Sequence, residues 1–562
     1  MAMFITQDTF DEVVKENMED FDMDRESAAE DAVGQFKAQG ADLSMVDTSA
    51  DGIRKDARAA INDYVEKLRD FDLNVGPGKT RPLLSDCLEA FSALAELCRE
   101  EGPAGEANKN AVGEAGGIGA IARFLGGDAE NSSQENVVFA ALCTLHDVCR
   151  NTERNRDAFL STNMDKLTSL LLRWTNAPEA GKDYLDAKGL GGGGENDATE
   201  GETCADELAS ADADAHAKDK AGLVEAGLKA VRIVCTKAEN NKGSFMRRKG
   251  AAVLVASLRR YGAGEGKNAA VTREACAALR SVTLGDDRRK DFSGTYDNVK
   301  TLVSAGVIPL LLDAAREFEE DSATLCPVYL ALKQLAANEE SVKLIVKNGG
   351  LDLVSGAIVN FPLETVVCRT ALALFRNIAA SDDLKTRLVH EGGLRLLLGC
   401  MSQHKDDRTL QEHGCATLAA MALRSPSNGA LIVQEGGITA VLQAMRRHAT
   451  VQPLQRQACL CIRNMAARSP SLRAGLLDEG CEPALREAGK LRGCVDEAYA
   501  ALRDLQCEVG LVTMGEGGKV QVGVTAFGDE KPNFDPSLQE TGDIDERMAD
   551  SATAPAQAGY LL

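Results

Sequence analysis

The sequence predicts an all-α protein, a right-handed α-solenoid of about eight stacked repeats with disordered acidic flanks and one disordered acidic insert. Three observations carry this. Aromatic residues make up 4% of the 562 residues, with a single Trp, and Ala, Leu and Val dominate, a palette suited to helices and poor for sandwiches or barrels. A glycine corner recurs about every 43 to 44 residues, inside the window of α-solenoid units. Between corners, apolar residues fall at i, i+3, i+4 and i+7, so every helix has one face to bury.

The stretches "ESVKLIVKNGGLDLV", "LKTRLVHEGGLRLLL", "NGALIVQEGGITAVL" and "LRAGLLDEGCEPAL" align without gaps, and the second corner position falls at Gly306, Gly350, Gly393, Gly437 and Cys481. Each glycine inside a helix costs about 1 kcal/mol against alanine, so adjacent glycines mark a break, where they supply unhindered φ, including the left-handed region. A longer helix precedes each corner: "REACAALRSVTL", "PVYLALKQLAANE", "CRTALALFRNIAASDD", "HGCATLAAMALRSP", "RQACLCIRNMAARSP" and "VDEAYAALRDLQC". One unit is therefore a short helix, a corner, a second helix, a loop and a long third helix, and no unit covers its own apolar face alone. Upstream the corners are expected at Gly116–Gly117, Asn163 and Gly250.

The spacing sets the domain organisation. Residues 1–73 form an acidic N-terminal helical segment and linker, residues 82–174 the first repeats, residues 175–220 a Gly-rich acidic insert, residues 221–510 the remaining repeats, and residues 511–562 a tail with one hairpin-like alternating stretch. The insert "GLGGGGENDATEGETCADELASADADAHAKDK" is nearly free of large apolar residues and is expected to be a disordered loop. In the N-terminal segment Phe10, Val13, Val14 and Met18 share one helical face, and Ala32, Val33 and Phe36 a second. That pair is either a cap over the first repeat or a docking element for a partner.

The net charge of -23 argues against a nucleic-acid surface, which needs clustered Lys and Arg. The acidity is localised: about -11 in residues 1–73, about -8 in residues 178–220 and about -6 in residues 529–562. The sixteen cysteines lie scattered through apolar helical stretches with no CxxC, which implies buried free thiols in a reducing compartment. With no signal-like start and no long apolar run, the expectation is a soluble cytoplasmic protein, with the nucleus a second compartment.

The three-helix units, with an Ala-Leu-x-Asn-x-Ala third helix and an E-G-G corner, resemble armadillo repeats. The opening "ITQDTFDEVVKEN", the segment "VTREACAALRSVTLGDDRR" and the ending "ACLCIRNMAARSP…AYAALRDLQCEV" together resemble the armadillo repeat-containing protein 6 family over about Ile5 to Val509. The resemblance implies a soluble, non-enzymatic solenoid. In such solenoids the third helices line a concave groove. Superposing them places Asp147, Ser281, Gln334, Asn377, Asn464 and Asp504 in one column, at the position of a peptide-binding Asn in relatives that read extended peptides. An Asn amide offers a donor and an acceptor to a peptide backbone. The neighbouring column holds His146, Arg280, Lys333, Arg376, Arg463 and Arg503, suited to acidic side chains. Both columns are equally the solvated face of amphipathic helices. A nuclear-import groove would need Trp one turn earlier, where Ala277, Leu330, Ala373 and Leu460 stand.

Enzyme motifs do not assemble. "GPGKT" at Gly76 to Thr80 has Leu73 where a phosphate loop needs glycine, and "GGIGAIARF" is a helix corner rather than a dinucleotide fingerprint. His146 and Cys149, one turn apart, read as a partly exposed His beside a buried Cys. The six histidines lack metal-ligand spacing. The expected function is a protein-protein interaction scaffold binding a partner segment in the groove, with no cofactor, metal, nucleic acid, membrane or small-molecule substrate. The alternative is a regulatory or adaptor subunit of a ubiquitin or chaperone complex, docking through the N-terminal helices.

Overall fold

The corners determine how the helices stack. The computed structural model describes residues 3–21, 23, 25–39, 41–42, 46, 55–71, 84–126, 132–175, 206–290, 293–514 and 520–525. It divides into two units, Met1–Glu317 and Phe318–Leu562.

In the N-terminal unit the helices Gln7–Phe21 and Arg25–Ala38 form a hairpin, tied by a parallel pairing of Met3–Phe4 with Ala41–Asp42. Its buried cluster contains Ile5, Phe10, Val14, Ala28, Ala32, Phe36 and Val46 and draws on no residue of the array. The cap lies instead in the expected linker: helix Lys55–Asp70 packs on Leu84–Arg99, Pro103–Glu114 and Gly117–Arg123. Ile61, Val65 and Leu68 are buried there, at the i, i+4, i+7 spacing of one apolar stripe, and Phe71 meets Phe124 with ring centroids 5.7 Å apart.

The array of this unit starts with Leu84–Arg99, which has the role of a third helix. Repeat one is Pro103–Glu114, Gly117–Arg123 and Ser132–Cys149; repeat two is Glu153–Asp157, Ser161–Trp174 and Asp206–Cys235; repeat three is Glu239–Arg247, Gly250–Tyr261 and Ala269–Thr283. Thr295–Ser304 and Val307–Glu317 open repeat four. The C-terminal unit contains the third helix of repeat four, Ser322–Leu335, and four full repeats with third helices Thr365–Ala379, Arg408–Ala422, Gln452–Ala467 and Val495–Asp504. Third helices pack on one another in chain order within each unit. An antiparallel hairpin follows, Val509–Met514 against Val520–Thr525, as the alternation in the tail suggested; residues 526–562 lie outside the described residues.

Three sequence expectations are corrected. Helix Asp206–Cys235 begins inside the segment expected to be a loop to residue 220, because the Ala-rich run "ELASADADAHAKDKAGL" continues into the third helix of repeat two; residues 176–205 lie outside the described residues. The second helix of repeat two starts at Ser161, so its corner precedes Asn163, and it turns without a positive φ. Gly306, with φ of 79°, belongs with Gly349, Gly392, Gly436 and Gly480 as the left-handed residue of its corner, one position earlier than the alignment placed it.

The two glycines of a corner do different work. Gly436 (φ 85°) takes the left-handed turn, while a Cβ on Gly437 would stand 2.8 Å from the Ile432 carbonyl oxygen, so the second glycine lets the new helix start against the end of the old one. Repeat three has Lys249 (φ 64°) at the first position.

Each third helix ends inside the stack with unpaired carbonyls. At several of them an Asn from the next first helix reaches in: Asn155 Nδ2 donates to the Val148 carbonyl at 2.9 Å, Asn241 to Val234 at 2.8 Å, Asn298 to Val282 at 2.8 Å and Asn428 to Met421 at 3.2 Å. Two glutamines close second helices in the same way, Gln411 on Met401 and His404, and Gln455 on Met445 and His448, at 2.8 and 3.0 Å each.

Replacing Gly436 with Ala should lower stability by about 1–2 kcal/mol, the cost of a left-handed Cβ; thermal melting followed by circular dichroism measures it, and an unchanged midpoint would contradict the corner geometry. Asn428→Ala should cost about 1–3 kcal/mol, because the Met421 carbonyl is then buried without a partner, as read from urea unfolding.

Candidate functional site

The site can be built from the third helices of the C-terminal unit, whose outward rows carry the two predicted columns. Asn377 Nδ2 donates to the carbonyls of Lys333 (3.1 Å) and Ala336 (3.2 Å), and Asn464 Nδ2 to that of Ala419 (2.8 Å). Both amides therefore stitch their helix to the preceding third helix. Their Oδ1 atoms accept no hydrogen bond among the described residues, so a peptide would meet an acceptor at Asn377 and an acceptor with one remaining N–H at Asn464. Gln334 lies in the same half-buried row. In the N-terminal unit the equivalent stitch is Ser281, whose Oγ donates to the Arg232 carbonyl at 3.1 Å, and Arg280 beside it is half-buried with no carboxylate at ion-pair distance among the described residues.

The cation column is split by internal pairing. Arg463 meets Asp504 at 3.1 Å and Arg503 meets the same carboxylate at 2.9 Å, so Asp504 neutralises a row it was expected to share with partners. Arg456, two turns earlier, is held by Glu497 at 2.6 Å. Arg376 differs: it is half-buried with no carboxylate at ion-pair distance among the described residues. Repeat six interrupts both columns with Ala419 and Ala420, at the register of Arg376–Asn377 and Arg463–Asn464.

Two further side chains belong to this face and were missed. Arg369, on the same helix as Arg376, reaches Asp407 at 3.6 Å. His413, on the third helix of repeat six, has a buried Nδ1 with no hydrogen-bond partner. Burial, then Lys333, Arg376 and Arg369, push its pKa down to about 4, against a small opposing pull from Asp407. Superposing the helices two turns before the Asn column would have exposed both.

The other candidate chemistry does not assemble. His146 pairs with Asp147 at 3.1 Å, and Arg99 closes on the same carboxylate at 2.7 Å. The Cys149 thiol is fully buried and pushed up to about 12 by desolvation, which removes it as a nucleophile. The cysteines among the described residues are free and mostly buried. Cys368 is the exception to their raised pKa values, drawn down to about 6 by the Cys400 thiol and then His404. "GGIGAIARF" forms the Gly116 corner and the helix after it; "GPGKT" lies outside the described residues. Trp174 is buried in a second helix, away from the third-helix face. Among the described residues no group of His, Cys, Asp and Glu is placed to hold a metal ion, and no single helix is long and apolar enough to cross a membrane.

Repeats of three helices, a left-handed corner between the first two and third helices stacked side by side define an armadillo-type α-solenoid, a fold of the protein-binding type. Residues 209–521 match the family model described as ARMC6, and residues 2–67 match that of the armadillo repeat-containing protein 6 N-terminal domain. The chain belongs to the armadillo repeat-containing protein 6 family. It is 29% identical over 340 residues to human armadillo repeat-containing protein 6, an alignment covering 60% of this chain and 56% of that protein, and 24% identical to the homolog from Drosophila melanogaster, covering 60% of each. The chain thus spans a little over half the length of the curated relatives it matches. Among solved structures, an engineered protein shares the fold with a TM-score of 0.50 at 18% identity, covering 79% of this chain and 98% of that one.

Neutral His413 is favoured in the folded chain, so between pH 4 and 6.5 the folded state binds fewer protons than the unfolded one and stability rises with pH. Acidification from pH 7 to 4.5 should therefore destabilise the wild type more than His413→Gln, a difference readable from urea midpoints at the two pH values.

Proposed function

We propose that this protein is a non-enzymatic interaction scaffold whose third-helix face receives a segment of a partner protein. The observation that supports it is the state of the Asn amides: Asn377 and Asn464 donate to the preceding repeat and leave Oδ1 without a hydrogen bond on the half-buried outer row. An extended segment lying across the third helices brings backbone N–H groups to such acceptors. Ala420 leaves room between the two. The abundance of buried thiols favours action in a reducing compartment, the cytoplasm or nucleus.

A second reading has its own support. The helices of residues 7–38 carry a separate buried cluster, as a docking module for a ubiquitin or chaperone complex would.

One experiment separates them. Ala420→Trp fills the face without removing a hydrogen bond, and Met18→Asp puts charge on the exposed side of the N-terminal hairpin. Affinity capture with quantitative mass spectrometry should show partners lost by at least about tenfold, about 1.4 kcal/mol, with Ala420→Trp and retained with Met18→Asp. The opposite pattern would transfer the function to the N-terminal helices.

A further inference from the structure

We infer that the third-helix face of repeats four to six in the C-terminal unit is built to receive an acidic, carboxylate-bearing peptide segment of a partner, seated between Arg376, Arg369 and His413. This rests on the groove reading above and adds the partner's chemistry and its position.

The case starts from a contrast between equivalent positions. The register that carries Arg376 in repeat five carries Arg463 in repeat seven and Arg503 in repeat eight. Those two share the Asp504 carboxylate, and Arg456 is closed by Glu497. The chain has therefore supplied its own anions at repeats seven and eight. At Arg376 it has not: that side chain is half-buried, without a carboxylate at ion-pair distance among the described residues. A guanidinium partly withdrawn from water and left without a counter-ion is costly, and an arriving carboxylate relieves that cost with charge-assisted hydrogen bonds that a guanidinium can make in bidentate pairs.

The neighbouring groups shape the same site. Repeat six presents Ala419 and Ala420 where repeats five and seven present Arg and Asn, so that register offers Arg376 no carboxylate like the Asp504 that Arg463 meets. Its His413 brings a buried Nδ1 with no partner. Lys333 from repeat four and Arg369 and Arg376 from repeat five all act on that imidazole as cations, while Asp407, at the start of its own helix, is its one opposing neighbour of note and is engaged by Arg369 at 3.6 Å. Three cations and a neutral imidazole with an unused nitrogen thus converge, with Asp407 paired to Arg369 and Arg376 left without a carboxylate at ion-pair distance among the described residues. Gathering cations around the unpaired Arg376 raises the local positive potential and favours an arriving anion.

The test uses the full chain and fluorescein-labelled octapeptides of glutamate, of serine and of lysine, read by anisotropy. Octaglutamate should bind at least about tenfold tighter than octaserine, weaken as salt is raised, and lose about tenfold on Arg376→Ala but less than about threefold on Arg463→Ala, whose guanidinium is already occupied. Equal affinity for the glutamate and serine peptides overturns the inference, as does an equal loss in both variants. If octaglutamate fails while Ala420→Trp still abolishes partner capture, the acidic specificity falls and the groove reading stands; if octaglutamate binds and Ala420→Trp leaves capture intact, the groove reading falls. A synthetic peptide of residues 529–550 binding more than about tenfold tighter than octaglutamate would assign the face to the chain's own acidic tail and overturn a partner in trans.

Discussion

Every helix that stops inside a packed stack leaves carbonyls that water cannot reach, and this constraint organises the molecule. The chain answers it locally, with a side-chain amide from the next first helix, as in Asn155, Asn241, Asn298 and Asn428, and with Gln411 and Gln455 at the ends of second helices. The glycine corner is the complementary device: it lets the next helix start close enough for those short amides to reach. Turn and cap together fix how each helix begins relative to the last, and the outward rows of the third helices follow from that.

The same logic explains why the Asn residues of the third helices are only half available. Asn377 and Asn464 donate across to the preceding helix, so the row that faces outward is also a seam. Charges behave alike. Arg463 and Arg503 are drawn onto Asp504, whereas Arg376 has no such neighbour because repeat six offers alanines at that register. A column that looks uniform in the sequence is therefore divided into a neutralised stretch and a cationic one.

What was legible in the sequence is what repeats. The period, the corner motif and the amphipathic third helices gave the fold and the count of units, and the family resemblance added the N-terminal segment. What stayed hidden depends on single unrepeated contacts. Helix Lys55–Asp70 caps the array through Ile61, Val65 and Leu68, yet sits among so many charges that it resembles a linker. Gly306 has no glycine after it, unlike Gly349, Gly392 and Gly436, so the alignment slipped by one. Ion pairs such as Arg463–Asp504 span 41 residues, a separation no local pattern displays, and His413 matters only once its helix is seated beside Arg376.

The connector of repeat two has an evolutionary consequence. Within each unit neighbouring repeats pack on one another mainly through their third helices, and the connector between a second and a third helix varies in length. It spans about four residues in repeat five and about thirty, residues 176–205, in repeat two. Closure entropy grows only with the logarithm of connector length, so about three doublings cost roughly 2 kcal/mol. New sequence can thus accumulate at this point of the solenoid at small thermodynamic expense, making it a natural place for lineages to diverge while the spine is kept.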